Sequence, residues 1–205
     1  MIVEWTLLAG FIPAALALNL TPGADMMFCL GQGLRGGPRA ALAADAGIAL
    51  GGMLHVAVAG LGLGALVASA PWAFDAIRWI GVAYLLWLAA RALRSNGTPG
   101  NLPQTRAATA FRDGLLVNLS NPKVILFVLA FVPQFVDASR PVLPQFLIFG
   151  AVLSLGGLVV NGAVGLLAGG AGQQLARSAA LGRWLARVSA MVFAGLALRL
   201  ALISR

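Results

Sequence analysis

Six long apolar runs restrict this chain to one kind of fold. They cover roughly Trp5–Leu30, Ala40–Ser69, Trp72–Leu93, Phe111–Phe135, Leu143–Ala168 and Trp184–Ile203. An α-helix needs about 20 apolar residues to cross the hydrocarbon core of a bilayer, and each run is near or above that length. The second is long enough to tilt or to extend past the hydrocarbon. Transmembrane β-strands would be shorter and would alternate apolar with polar residues, a pattern found nowhere here. Only 10% of the 205 residues are charged, against about 25% in a soluble domain, and the mean hydropathy is +0.91. Polar residues are too few to cover a globule, so lipid must solvate most of the surface. The 26 glycines suit close helix packing in a membrane. The first run is not expected to be a cleaved signal, because Met1–Glu4 carries no positive charge and the run is too long.

The net charge of +8 would suit nucleic acid, but the positions of the basic residues point to topology instead. Arg35 and Arg39 follow span 1; Arg91, Arg94, Arg106 and Arg112 lie between spans 3 and 4; Arg177, Arg183 and Arg187 lie before or just inside span 6. These alternate loops must share one side, and they hold nine of the 14 basic residues. The positive-inside rule then puts them in the cytoplasm and both termini outside. Tryptophans 5, 72, 79, 87 and 184 fall near span ends, as interfacial anchors do.

Two stretches read as one phrase written twice: "LNLTPGADMMF" at Leu18–Phe28 and "VNLSNPKVILF" at Val117–Phe127. Each has Asn-Leu, a hydroxyl residue, a proline and one charge, inside an apolar run. Spans 1–3 and 4–6 are odd-numbered sets, so the repeated phrase faces opposite ways across the bilayer. That is the pattern of an inverted-topology repeat. The expected architecture is therefore an all-α membrane protein of six transmembrane helices in two three-helix repeats, residues 1–93 and 113–205. Helices 1 and 4 are broken, and a loop over 94–112, containing "RSNGTPGNLPQTR", joins the halves. Pro22 and Pro122 remove amide donors and leave carbonyls without helical partners. In lipid that is tolerated where protein or a water-filled cavity satisfies the freed groups. Two breaks meeting in mid-membrane would offer carbonyls to a cation and a helix N-terminus to an anion, as a zwitterion requires.

The chain resembles the lysine-exporter type, or LysE/RhtB, family of bacterial amino-acid exporters over nearly its whole length. The resemblance rests on "NLTPGAD" in span 1, "GIALGGMLHVAVAGLGLGAL" in span 2 and "RWIGVAYLLWLAARALR" in span 3. It continues with "FRDGLLVNLSNPKVILFVLAFVPQF" in span 4, the most specific piece. Family members usually read Pro-Gly-Pro where this chain has Pro22-Gly23-Ala24. Membership implies a multi-pass protein of the bacterial inner (cytoplasmic) membrane that exports amino acids or their relatives, driven by the proton gradient.

Several polar residues are candidates for substrate binding or proton coupling. Asp25 follows the first break and is a candidate for the substrate ammonium or a proton, since an intramembrane carboxylate ordinarily faces a cavity or a partner. Lys123, the sole lysine, is a candidate for holding a substrate carboxylate or neutralising Asp25. Asn19, Thr21, Pro22, Gly23, Asn118, Ser120, Asn121 and Pro122 form the two breaks; their polar side chains can cap freed backbone groups or line the path. His55 is the only histidine and lies in a stripe with Gly47, Gly51 and Ala59, a spacing that marks a close helix contact. It can relay protons or serve as a structural hydrogen bonder. Asp45 can cap, pair with a loop arginine or join a gate, and Asn161 can bond across a helix interface.

Other functions fit less well. Thiol–disulfide chemistry needs a cysteine pair, and Cys29 is alone. One Cys and one His make no soft metal site by themselves. No catalytic triad or phosphate loop appears, so an enzyme or an ATP-driven pump is not expected, nor is a cofactor. The expectation is a secondary exporter working by proton antiport, with a passive channel or an exporter of another small solute, such as a cation or metal, as the alternative. Its expected partners are a small zwitterionic substrate, protons, the lipid bilayer and a second copy of the chain in a homodimer. Nucleic acid is not among them.

Overall fold

A computed structural model of the 205-residue chain describes residues 2–69 and 107–168, with single positions of 76–90 and 184–201. Helix α1 (Trp5–Leu20) ends at a break over Thr21–Gly23. Helix α2 (Ala24–Ser69) follows, 46 residues in two arms hinged at Gly37. Helix α3 (Ala107–Leu119) ends at a second break, α4 (Pro122–Ala130) resumes, and a 3-10 helix (Val132–Phe135) closes that segment. Helix α5 (Val142–Leu166) follows a short loop. No strand occurs among the described residues.

The hinge in α2 follows from "GGPR". Gly37 has φ 73 and ψ −173, a conformation open to glycine and strained for other residues. Pro38 then opens the second arm, where a missing amide costs nothing. The sequence left residues 31–39 between spans 1 and 2, yet only Gly37 departs from helical geometry. A second correction concerns the linker. Ala107–Ala110, expected within the 94–112 loop ahead of span 4, are helical, because Ala is the strongest helix former. Residues 94–106 of that linker, and spans 3 and 6 beyond single positions, lie outside the described residues.

Both expected breaks are present. The pair Trp5–Leu20 with Ala24–Leu34 bends by 53°, and so does Thr109–Leu119 with Pro122–Phe135. Each bent pair is long and apolar enough to cross a membrane as one span, and the straight segments Gly36–Gly62 and Val142–Leu166 are so individually. Large apolar side chains such as Val58, Leu155 and Val159 point outward. Lipid is the solvent that makes this favourable.

Glycines set the helix spacing. The second arm of α2 crosses α3 where Gly47 meets the Phe111 carbonyl and Gly114 meets the Ala44 carbonyl, so neither position has space for a Cβ. The stripe of Gly47, Gly51 and His55 thus faces α3. Towards the ends of α1 and α4 the core is aromatic. Phe11 is fully buried, with ring centroids 4.9 Å from Phe149 and 5.3 Å from Phe135. The loop before α5 is tied down by Gln145, itself fully buried. Its Oε1 accepts from the Asp137 amide at 2.9 Å, and its Nε2 donates to the carbonyls of Asp137 at 2.9 Å and Pro141 at 3.1 Å. At the same end Arg140 pairs with Glu4 at 2.9 Å and Asp137 at 3.0 Å.

Candidate functional site

The two prolines dictate the chemistry of the breaks. In an unbroken helix a carbonyl accepts from the amide four residues on, and at residues 22 and 122 proline has no amide to give. The carbonyls left over are those of Leu18 and Asn118. Each is taken by a side chain from elsewhere in the fold. Lys123 Nζ donates to Leu18 O at 3.0 Å and to Thr21 O at 3.1 Å. His55 Nε2 donates to Asn118 O at 3.2 Å, an oxygen that also accepts from the Asn121 amide at 2.9 Å. A lysine at the C-terminal end of α1 also complements the helix dipole.

The freed carbonyls of α1 are therefore not waiting for a substrate, as the sequence suggested. The protein's own ammonium fills them. Nor does Lys123 pair with Asp25: no ion pair joins them among the described residues, although the carboxylate lies close enough for its charge to act on the lysine. The reason is steric and local. Lys123 opens α4 directly opposite Gly23, where a Cβ would lie 3.0 Å from its Nζ, and from there the stem points at the end of α1.

Asp25 is held instead by Asn118, whose Nδ2 donates to Oδ2 at 3.0 Å. This bond links the first break to the second across the repeat. Asn121 caps α4, accepting from the Lys123 amide at 3.1 Å. Thr21 turns back on its own helix, donating to Ala17 O at 2.6 Å. Asn19 leaves the break altogether and donates to Leu153 O of α5 at 3.0 Å. Ser120 is exposed and is not brought to the site.

Between these elements lies a cavity of about 30 Å³, space for about one or two waters. Asn19, Asp25, Asn118, Ser154 and Asn161 supply its polar lining, with Gly52 and Gly157 among the apolar part. Two acceptors at the break, Asp25 Oδ1 and Asn118 Oδ1, have no hydrogen-bond partner. They come from different broken helices and are buried with their residues. Such a pair suits a donor-rich cation better than any anion. His55 does not reach this cavity. It borders a separate hollow of about 180 Å³ whose other lining residues are apolar, including Leu54, Val58 and Leu129.

Asp45 and Asn161 make a second polar locus between the second arm of α2 and α5. Asp45 is 1% exposed and beside Asn161, yet neither carboxylate oxygen has a hydrogen bond of ordinary geometry. No loop arginine pairs with it among the described residues, so that expectation gives way to a buried, uncompensated carboxylate. Sequence reasoning passed over Ser154, Gln145 and Gln32. Each is a polar residue flanked by apolar and small neighbours within a helix, and that was the available signal.

A buried polar cavity between two broken helices, inside a bundle whose outer face is apolar, defines a membrane transport protein. Residues 16–204 match the LysE type translocators, and the chain belongs to that family. It is a multi-pass membrane translocator, not an enzyme. An uncharacterized membrane protein of Vibrio cholerae is 36% identical over 166 residues, 78% of this chain and 80% of that protein. The homoserine/homoserine lactone efflux protein of Salmonella typhimurium is 34% identical over 163 residues, 78% of each chain. An uncharacterized membrane protein of Bacillus subtilis is 29% identical over 160 residues, 72% of this chain and 76% of that protein. No solved structure matches.

Proposed function

We propose that this translocator exports small amino-acid-type solutes across the bacterial inner membrane in exchange for protons, and that it recognises them by their ammonium group. The observation that carries this reading is the pair of unpartnered acceptors, Asp25 Oδ1 and Asn118 Oδ1, at the cavity between the breaks. The Salmonella relative is named for homoserine and its lactone. Those two solutes share an α-ammonium, but the lactone has no free carboxylate. A site with two open acceptors, and with Lys123, the one nearby cation among the described residues, already engaged on Leu18 and Thr21, matches that shared feature.

The cavity is too small for such a solute, so a loaded site requires the bent helices to move. The equal 53° bends and the matching carbonyl–proline pairs support reading the halves as inverted-topology repeats, with six spans and both termini periplasmic. Rocking one repeat against the other would then open the cavity to each side in turn. The test uses everted vesicles containing the protein, a proton gradient and labelled homoserine, with homoserine lactone and a deaminated analogue as competitors. Accumulation against the gradient, abolished by a protonophore and inhibited only by ammonium-bearing competitors, is the expected result. Movement only down the solute gradient would favour the passive channel.

A further inference from the structure

The cavity accounts for Asp25 but leaves a second buried acid unexplained. Gly37 lies twelve residues after Asp25 and eight before Asp45. At about 1.5 Å per residue along each arm, Asp45 is about one helical turn nearer the hinge. Asp45 is enclosed from three sides. The first arm of α2 brings Cys29 and, beyond it, Asp25 within electrostatic reach. Helix α5 brings Asn161 and Gly162, where a Cβ would lie 2.9 Å from Asp45 Oδ2. Helix α3 brings Gly114 against the adjacent Ala44 backbone, while its Arg112 and Asp113 pair with each other at 3.3 Å. No cation faces Asp45 among the described residues, and neither oxygen has a hydrogen bond of ordinary geometry, Asn161 being the one donor near enough to act on it among those residues.

The two acids are therefore built differently. Asp25 has a dedicated donor in Asn118 and one open oxygen at the cavity. Asp45 has neither a dedicated donor nor a place in the cavity lining, although its neighbour Asn161 reaches both. An ionised carboxylate with a single amide neighbour and no counter-charge is far costlier inside a membrane than a neutral one.

We propose that Asp45, and not Asp25, is the binding site of the coupling proton, placed beside Asn161 one turn nearer the α2 hinge than the cavity. This rests on the proton-coupled reading above. Two nearby buried carboxylates resist being ionised together. With the cavity empty, the charge on Asp25 keeps a proton on Asp45. An ammonium bound at Asp25 cancels that charge, and Asp45 then releases its proton. By reciprocity, protonation of Asp45 weakens ammonium binding at Asp25, so the two ligands exclude each other, as antiport requires.

The test compares the reconstituted full-length wild type with Asp45→Asn and Asp25→Asn, using labelled homoserine as probe. Asp45→Asn, a fixed stand-in for the protonated acid, is expected to bind and exchange homoserine only at the weakened level that the wild type shows at low pH. It should lose proton-driven accumulation, and its binding should no longer depend on pH. Asp25→Asn is expected to lose binding and exchange. Driven accumulation by Asp45→Asn, or homoserine binding by it that keeps the wild-type pH dependence, would overturn the assignment. A second measurement stands whether or not the variants transport. Infrared spectra of the wild type should show the carbonyl band of a buried protonated carboxyl, missing from Asp45→Asn and, at the same pH, diminished in Asp25→Asn. A wild type without that band sinks the proposal. If the wild type binds and moves no homoserine, the substrate reading fails, and the band still decides whether Asp45 holds a proton.

Discussion

Asn118 donates from Nδ2 to Asp25 Oδ2 at 3.0 Å while its own carbonyl accepts from His55, so one residue ties three helical segments together at the breaks. Asn118→Ala removes the only donor, among the described residues, to a buried carboxylate. The expected cost is about 1–3 kcal/mol, read as a lower melting temperature in detergent. Asp25→Asn combined with Asn118→Ala should show a coupling that Asp25→Asn with Lys123→Met lacks at comparable size. Additive effects for Asp25 and Asn118 would mean that the bond contributes nothing.

Lys123 replaces the amide that Pro22 cannot supply. Lys123→Met should leave two buried carbonyls without a donor and destabilise by about 2–3 kcal/mol. Gly23 sets the clearance for its ammonium, because a Cβ there would lie 3.0 Å from Nζ. Gly23→Ala alone should be mildly destabilising and should cost nothing further in the Lys123→Met background. A full Gly23→Ala penalty in that background would place its effect elsewhere in the break.

Helix spacing can be tested by contrast. Gly47→Ala drives a methyl into the Phe111 carbonyl, which belongs to the backbone and cannot rotate away. Overpacking costs of about 1–3 kcal/mol or more should sharply reduce folded protein. Gly62→Ala, with nothing within 4 Å of the added carbon, should express as the wild type does. Equal yields from both variants would show that α2 and α3 pack less closely than described.

The loop before α5 offers a polar test at the end of a membrane span. Gln145→Leu strands the Asp137 amide and the carbonyls that Nε2 now satisfies, for an expected loss of about 1–3 kcal/mol. An unchanged melting temperature would mean that water takes over those bonds.

In the same loop, hydrogen bonds from the Ser139 hydroxyl and amide, with Arg140 adding its charge, hold the Asp137 carboxyl below its ordinary 3.8. A depressed folded value contributes stability that is present above the unfolded value and lost as pH falls through the folded one. Ser139→Ala should therefore move the Asp137 titration upward, towards 3.8, in a carbon-13 NMR experiment on labelled aspartate. An unmoved titration would assign the shift to Arg140 or to the backbone amide.

Much of the architecture was legible in the order of residues, because its causes are local. Apolar length declares a membrane helix, and a proline inside such a run declares a break, wherever the rest of the chain lies. Pro22 and Pro122 identified both bends without knowledge of any neighbour, and "GGPR" held the hinge at Gly37 for a reader willing to shorten the loop to one residue. The partners were not legible. Lys123 and Asp25 read as a natural ion pair because opposite charges are the only pairing a sequence displays. Backbone carbonyls are the same at every position, and which of them lack donors emerges only when α1 and α4 meet. Tertiary packing gave the lysine to Leu18 and Thr21, gave Asp25 to Asn118, and left Asp45 enclosed by glycines and an asparagine. Breaks arise within one helix, whereas the side chains that satisfy them come from 63 to 105 residues away, and only the fold brings those together.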